Sequence, residues 1–193
     1  MFGHVVRTTV IAAVAAGAVA GAPGAASAAA KACAVGKWTM VKHSFSAKGE
    51  GYDFTGTGGK GVRLTVGKKS LSWDFRGSKR LVSQGTRSGE KVAMWSRYDG
   101  RLRVPASFKG NKKGLLTADV RKAKGDATAR TGKVGAKRPD ATYPLAPNYR
   151  KGKPETIALG SGSFTCTGRS LHLVLATKSA TDSSRFDTWF RRG

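Results

Sequence analysis

The chain has 193 residues, of which 35 are Lys or Arg and 11 are Asp or Glu, so its formal net charge is +24 at pH 7. Such an excess of positive charge indicates acidic partners, which outside the cell are wall polymers, anionic lipid headgroups, polysaccharides and free nucleic acid. It is equally typical of a secreted protein whose charge only keeps it monomeric. No long apolar stretch follows the first thirty or so residues, which excludes a membrane-spanning helix in the mature chain.

The N-terminus has the features of a secretory signal peptide. Arg7 supplies a positive charge, Val10–Ala22 is a short apolar run, and Ala26-Ser27-Ala28 is a small-residue cleavage site. We predict a signal peptide over residues 1–28 with cleavage near Ala28, secretion out of the cell, and one domain over residues 29–193. A membrane anchor is the alternative, but the run is too short and too rich in Ala and Gly to span a bilayer well.

Cys33 and Cys166 are the two cysteines of the chain. In an oxidising compartment two cysteines favour a disulfide over two free thiols. Lipid attachment at Cys33 is disfavoured, because Ala30 and Lys31 stand where a lipidation motif has Leu and a small residue. A nucleophilic role needs an activating His close by, and none is evident around Cys33.

The mature chain shows period-2 alternation of apolar and polar residues and no convincing helix. Two hairpins are predicted, at Val62–Phe75 ("VRLTVGKKSLSWDF") and at Val92–Phe108 with its turn at Asp99-Gly100. The other predicted strands are Lys37–Phe45, Leu115–Val120, Ser163–Thr167, Leu171–Ala176 and a closing strand from Arg185. About eight short strands indicate an all-β fold, either a barrel or a β-sandwich.

A basic insertion at about 121–161 breaks this pattern. It is rich in Gly, Lys, Arg and Pro and has little periodic apolar content, so we expect a long, mobile, irregular segment that is either functional or a decoration without a partner. Thirteen basic residues, against three acidic ones, lie between Lys109 and Pro154 and are the candidate anion-binding residues: Lys109, Lys112, Lys113, Arg121, Lys122, Lys124, Arg130, Lys133, Lys137, Arg138, Arg150, Lys151 and Lys153.

Motifs for catalysis and cofactor binding are weak. The "GTGGKG" stretch, Gly56–Gly61, has the spacing of a dinucleotide loop, but a strand follows it where a helix is needed, so an inter-strand loop is favoured. His43 and His172 lack the spacing of a triad or a zinc site, and the carboxylates are scattered. We expect no catalytic residue, no metal and no cofactor. Aromatic residues interspersed among the Lys and Arg residues could stack on nucleobases. They fall at core-facing positions, so no specific nucleic-acid partner is expected.

Three motifs resemble small secreted β-barrel proteins of actinobacteria that have a lipocalin-like G-x-W start. They are Cys33 followed by "GKW", the Gly-rich loop Thr55–Gly61, and "FTCTGRSL" at Phe164–Leu171. The resemblance implies an antiparallel up-and-down, lipocalin-like barrel, of a kind that can enclose an interior pocket, and a Cys33–Cys166 bond that ties the first strand to a late one. In such a barrel Trp38 would plug one end.

These observations favour a secreted, monomeric, disulfide-bonded binding protein over an enzyme. The leading hypothesis is association with anionic cell-wall or surface polymers through the basic insertion. A small hydrophobic ligand inside the barrel is the second hypothesis. A secreted hydrolase using His43 or His172, and an inhibitor whose basic loop enters the cleft of a partner, are the further alternatives.

Overall fold

The computed structural model describes residues 33–153, 155–158 and 160–193, and strands dominate them. A short 3₁₀ turn (Val120–Lys122) and one helix, α1 (Leu145–Arg150), interrupt the strands. In chain order the strands are β1 (Gly36–Gly49), β2 (Tyr52–Gly58), β3 (Arg63–Val66), β4 (Ser70–Asp74), β5 (Leu81–Arg87), β6 (Glu90–Asp99), β7 (Arg101–Gly110), β8 (Lys113–Ala118), β9 (Lys124–Gly125), β10 (Thr128–Lys133), β11 (Ala141–Pro144), β12 (Gly162–Cys166), β13 (Ser170–Lys178) and β14 (Ser183–Arg192).

Eight of these strands close a barrel: β1, β3, β4, β7, β8, β12, β13 and β14. Each barrel strand pairs antiparallel with the next barrel strand along the chain, and β14 pairs with β1 to complete the ring. The predicted all-β, antiparallel up-and-down barrel of about eight strands is therefore confirmed, and the sandwich alternative is not adopted. The predicted signal peptide, residues 1–28, lies outside the described residues. Within the described ranges no helix is long and apolar enough to cross a membrane.

The barrel interior is filled by the apolar residues of the alternating strands. The predicted hairpin at Val62–Phe75 is confirmed, because β3 pairs with β4 in register and buries Leu64, Leu71 and Trp73. Alternation places apolar side chains on one face of a strand, and closure of the sheet turns that face inward. Among the described residues, the largest fully buried side chains are Trp38, Trp73, Tyr98, Tyr149, Phe75, Phe164 and Phe190.

The segment that carries Cys33 lies at the end of the barrel where β1 begins, and Cys33 accepts a hydrogen bond from Arg192 of β14 at its carbonyl oxygen. The predicted disulfide is present, with the Cα atoms of Cys33 and Cys166 5.9 Å apart. Trp38 is buried beside this segment, and its Nε1 donates a hydrogen bond to the Ala34 carbonyl oxygen at 2.8 Å. The Arg192 guanidinium lies 4.2 Å from the centroid of the Trp38 ring.

A second group of strands, which we call the extension, branches from the barrel at the second half of β1. There β1 pairs with β2, and β5, β6, β10 and β11 follow in order. The predicted hairpin at Val92–Phe108 is wrong, because β6 pairs with β5 and β10 whereas β7 pairs with β4, β8 and β9. Asp99-Gly100 is thus a corner at which the chain leaves the extension and enters the barrel. Gly100 has a φ of 79°, and the Phe75 amide donates to its carbonyl oxygen.

The expectation that the insertion at 121–161 is irregular is also wrong for its described residues. The insertion contains β9, β10, β11 and α1, and it adds buried side chains to the same core as Phe75 and Tyr98. Its buried residues are Ala123, Ala127, Ala129, Leu145, Ala146, Tyr149, Ile157 and Ala158. Most of these are alanines, which pack closely but give a weak apolar signal in sequence.

Candidate anion-binding cleft

A cleft of about 530 Å³ opens where the insertion folds back against the barrel wall. Strands β4 and β7 form one side, and the 3₁₀ turn, β9 and the end of α1 form the other. The residues that line the cleft are Lys69, Ser70, Arg103, Pro105, Arg121, Lys122, Ala123, Lys124 and Arg150. Six of these nine residues are basic and none is acidic, so the cleft is an electropositive site.

The barrel wall contributes Lys69 from the turn between β3 and β4, and Arg103 through strand alternation. Leu102 and Val104 of β7 are buried, so Arg103 between them is directed outward. Strand β9 pairs antiparallel with β7 and places Lys124 directly opposite Arg103. Both side chains are exposed. Like charges directly opposite each other on neighbouring strands are destabilising, so this pair costs the folded chain stability.

The insertion is held against the wall by contacts next to the cleft. Ala123 is fully buried, and its carbonyl oxygen accepts a hydrogen bond from Arg150 Nη1 at 2.9 Å. This bond joins the end of α1 to the 3₁₀ turn. On the wall, the Ala106 amide donates to the Lys69 carbonyl oxygen at 3.0 Å. Hydrogen bonds therefore hold the backbone that carries the basic residues on both sides of the cleft.

One acidic residue contacts the cleft from outside its lining. Asp119 Oδ2 lies 2.9 Å from Lys122 Nζ, and the hydrogen bond from Lys122 lowers the pKa of Asp119. Among the described residues, no other ion pair involves a base of the cleft. Six positive charges and one neighbouring carboxylate leave an uncompensated charge of about +5, which attracts anions over roughly a Debye length of 8–10 Å.

Four of the thirteen predicted anion-binding residues meet in the cleft: Arg121, Lys122, Lys124 and Arg150. The other nine are distributed elsewhere: Lys109, Lys112 and Lys113 around the β7–β8 turn, Arg130 and Lys133 on β10, Lys137 and Arg138 between β10 and β11, and Lys151 and Lys153 after α1. Lys69 and Arg103 also line the cleft but lie outside the predicted set. Arg103 has the outward position of a basic residue on a strand, and Lys69 lies in the turn between β3 and β4. Only the fold brings the insertion next to them.

His43 lies inside the barrel. It is 1 % exposed, its Nδ1 is 2.9 Å from Thr188 Oγ1, and its Nε2 has no hydrogen-bond partner within the described chain. Burial lowers the pKa of His43 to about 4, against a smaller opposing effect of Asp187. A histidine so enclosed has no access to a substrate.

His172 lies on the outer wall of the barrel. Its Nε2 is 2.9 Å from Asp187 Oδ1, and its ring stacks on Trp189 with the centroids 4.5 Å apart. Lys42 lies 4.6 Å from the Trp189 ring centroid. No hydroxyl or thiol forms a hydrogen bond with His172 within the described chain, so the imidazole has an acid but no nucleophile beside it.

Residues 33–153, 155–158 and 160–193 contain no group of three or more His, Cys, Asp or Glu side chains that could hold a metal ion. Comparison of the chain with protein-family models, curated proteins and solved structures finds no match.

Proposed function

We propose that the protein binds anionic polymers of the cell envelope in the cationic cleft and does not act as a catalyst. One observation carries the proposal: six bases from two separate parts of the chain line one cleft. Two of them, Arg103 and Lys124, are directly opposite each other although the pairing is repulsive. An anionic partner would neutralise this repulsion, so the bound state would recover stability that the free protein lacks.

A polymer fits the cleft better than a small anion does. A single small anion neutralises one or two cations, whereas the cleft has an uncompensated charge of about +5. A chain with a negative charge on each repeat could follow the bases from the barrel wall to the insertion and release its counterions on binding. The predicted secretion places the protein where wall polymers are available, and this location is part of the proposal.

The packed barrel interior argues against the carriage of a small hydrophobic ligand there. Trp38, Trp73 and Phe190 are among the fully buried side chains that fill it. The inhibitor hypothesis required a free basic loop, whereas the insertion folds against the barrel wall. The hydrolase hypothesis required a nucleophile that is next to a histidine and accessible to a substrate. His172 has no hydroxyl or thiol hydrogen-bonded to it within the described chain. His43 has the Thr188 hydroxyl beside it, but both residues are buried inside the barrel.

Co-sedimentation with purified cell walls at low ionic strength tests the proposal. The cleft variant combines Arg103→Gln, Arg121→Gln and Lys124→Gln. The matched control removes three exposed bases of the insertion outside the cleft: Lys137→Gln, Arg138→Gln and Lys151→Gln. An exposed ion pair contributes roughly 0.2–1 kcal/mol, so loss of three pairs should weaken binding between about threefold and a hundredfold. The control should bind nearly as the unmodified protein does.

Walls stripped of their anionic polymers provide the second arm. We expect the protein to lose binding to stripped walls, and its binding to intact walls to fall steeply as salt is added. Equal loss of binding in the two triple variants would show that net charge matters and the cleft does not. Undiminished binding to stripped walls would refute the anionic partner.

A further inference from the structure

A second basic cluster lies on the outer face of the extension, apart from the cleft. Arg97 of β6 and Arg130 of β10 are directly opposite each other in the antiparallel pair. Arg80, immediately before β5, and Lys79 complete what we call the arginine cluster. A depression of about 330 Å³ is present here, and the residues lining it are Arg76, Gly77, Ser78, Lys79, Arg80 and Arg97.

The described residues leave the charge of the arginine cluster uncompensated. Within the described chain no carboxylate forms an ion pair with Lys79, Arg80, Arg97 or Arg130. Arg76 differs, because its guanidinium contacts Asp74, 2.6 Å away, and is also influenced by Asp99 and Asp126 at longer range. Asp74 therefore neutralises Arg76, whereas Lys79, Arg80 and Arg97 in the depression have no carboxylate partner within the described chain. Arg130, which lies opposite Arg97 and outside the lining of the depression, has none either.

Stacking holds one guanidinium in place. The Arg80 guanidinium lies 4.4 Å from the centroid of the Trp95 ring, and Trp95 itself is only 5 % exposed. Gly132 lies opposite Trp95 on β10, and any Cβ there would come within 3.0 Å of the indole. Stacking on a fixed indole orients the planar guanidinium and leaves its N–H edges available to a ligand.

The residue types define the ligand class. Three of the four free bases are arginines, whose planar N–H forks match the oxygen pairs of phosphate and form bidentate, charge-assisted hydrogen bonds. Arg97 and Arg130 lie directly opposite each other, with Cβ atoms about 5 Å apart. At this spacing both guanidinium groups can bind the same phosphate. We infer that the arginine cluster is a phosphate-binding site. This inference does not rest on the cationic cleft, which has a different location and different residues.

Titration with inorganic phosphate tests the site, with the intrinsic fluorescence of Trp95 as the readout. Sodium chloride at matched ionic strength is the reference, and a Trp95→Phe variant identifies the part of the signal that comes from Trp95. We expect a saturable change with phosphate and none with chloride. Because a hydrogen bond to a charged group corresponds to a factor of about ten or more, Arg97→Gln with Arg130→Gln should weaken phosphate binding at least tenfold.

Two further variants separate the site from general charge. The double variant Arg97→Lys with Arg130→Lys keeps the positive charge but removes the planar guanidinium groups, so its affinity for phosphate should also fall. Arg87→Gln with Lys91→Gln removes the same charge from the other end of β5 and β6 and should bind phosphate normally. Binding by the lysine variant at the original affinity, or a response to chloride equal to that to phosphate, would overturn the inference.

Thermal unfolding gives an independent readout that does not depend on fluorescence. Because Arg97 and Arg130 repel each other, Arg97→Gln should raise the Tm of the phosphate-free protein at low salt by about 1–4 °C. Phosphate should raise the Tm of the unmodified protein by more than it raises that of the variant. A lower Tm for the phosphate-free variant, or an equal gain from phosphate in both proteins, would contradict the assignment. If the site binds phosphate, vesicles with and without phosphatidylglycerol then distinguish a lipid headgroup from a soluble phosphate.

Discussion

Replacement of His43 should change how the stability of the barrel depends on pH. The His43 side chain is enclosed, and its only hydrogen-bond partner in the described chain is Thr188. Burial lowers its pKa from 6.5 to about 4. As the pH falls below 6.5, the unfolded chain takes up a proton at this histidine while the folded chain does not. The stability that His43 contributes to the folded chain is therefore fully present above pH 6.5. It declines as the pH falls and levels off below about pH 4.

The size of the effect follows from these two pKa values. Between them each pH unit contributes about 1.36 kcal/mol, so His43 alone should remove roughly 3 kcal/mol from the free energy of unfolding. The double variant His43→Leu with Thr188→Val removes the ring and the hydroxyl together and leaves no buried polar group behind. Its free energy of unfolding should fall by roughly 3 kcal/mol less than that of the unmodified protein between pH 7 and pH 4.

Urea denaturation at several pH values between 4 and 7.5 measures this difference. The slope m should stay the same at each pH if the unfolding remains two-state. Thr188→Val alone keeps the histidine and should retain the acid-dependent loss of stability. If the double variant loses as much stability in acid as the unmodified protein does, His43 is not the group that titrates, and the reasoning from its burial is wrong.

Three further predictions concern the fold. Cys33→Ser with Cys166→Ser opens a loop with a sequence separation of 133 and should lower the free energy of unfolding by about 4–5 kcal/mol in the chain-entropy model, measured by denaturation with and without reductant. Trp38→Ala should cost about 3–5 kcal/mol in the same assay, because it removes a buried indole and leaves a cavity. Burial raises the pKa of the Glu155 carboxyl. The stability that this carboxyl contributes is therefore complete below its ordinary pKa and declines as the pH rises. Glu155→Gln should consequently stabilise the protein more at pH 8 than at pH 4.

Each of these predictions has an outcome that contradicts it. Reductant that leaves the unmodified protein as stable as before would show that the disulfide contributes little. A Trp38→Phe variant retains most of the buried ring and should lose less stability than Trp38→Ala; equal losses would argue against a packing role. An equal effect of Glu155→Gln at both pH values would show that the carboxylate is not destabilised by burial.

Local sequence patterns were sufficient to predict the barrel strands. The alternation in β3 and β4, and in β13 and β14, depends on residues close together in the chain and on one buried face. The two cysteines in a chain with the features of a secreted protein were sufficient to favour the disulfide. Composition also established the excess of positive charge, because net charge does not depend on how the chain folds.

Contacts between residues far apart in the chain decided which strands pair and which residues line each site. Asp99-Gly100 is as suitable for a corner as for a hairpin, and only the pairing of β6 with β5 and β10 decides between them. The alanines of the insertion give no strong apolar pattern, yet they pack against the barrel and bring Lys124 to Arg103. The sequence by itself thus determined the strands and the excess of positive charge. The tertiary structure alone decided which charges lie together, because residues far apart in the chain become neighbours only when the strands pair.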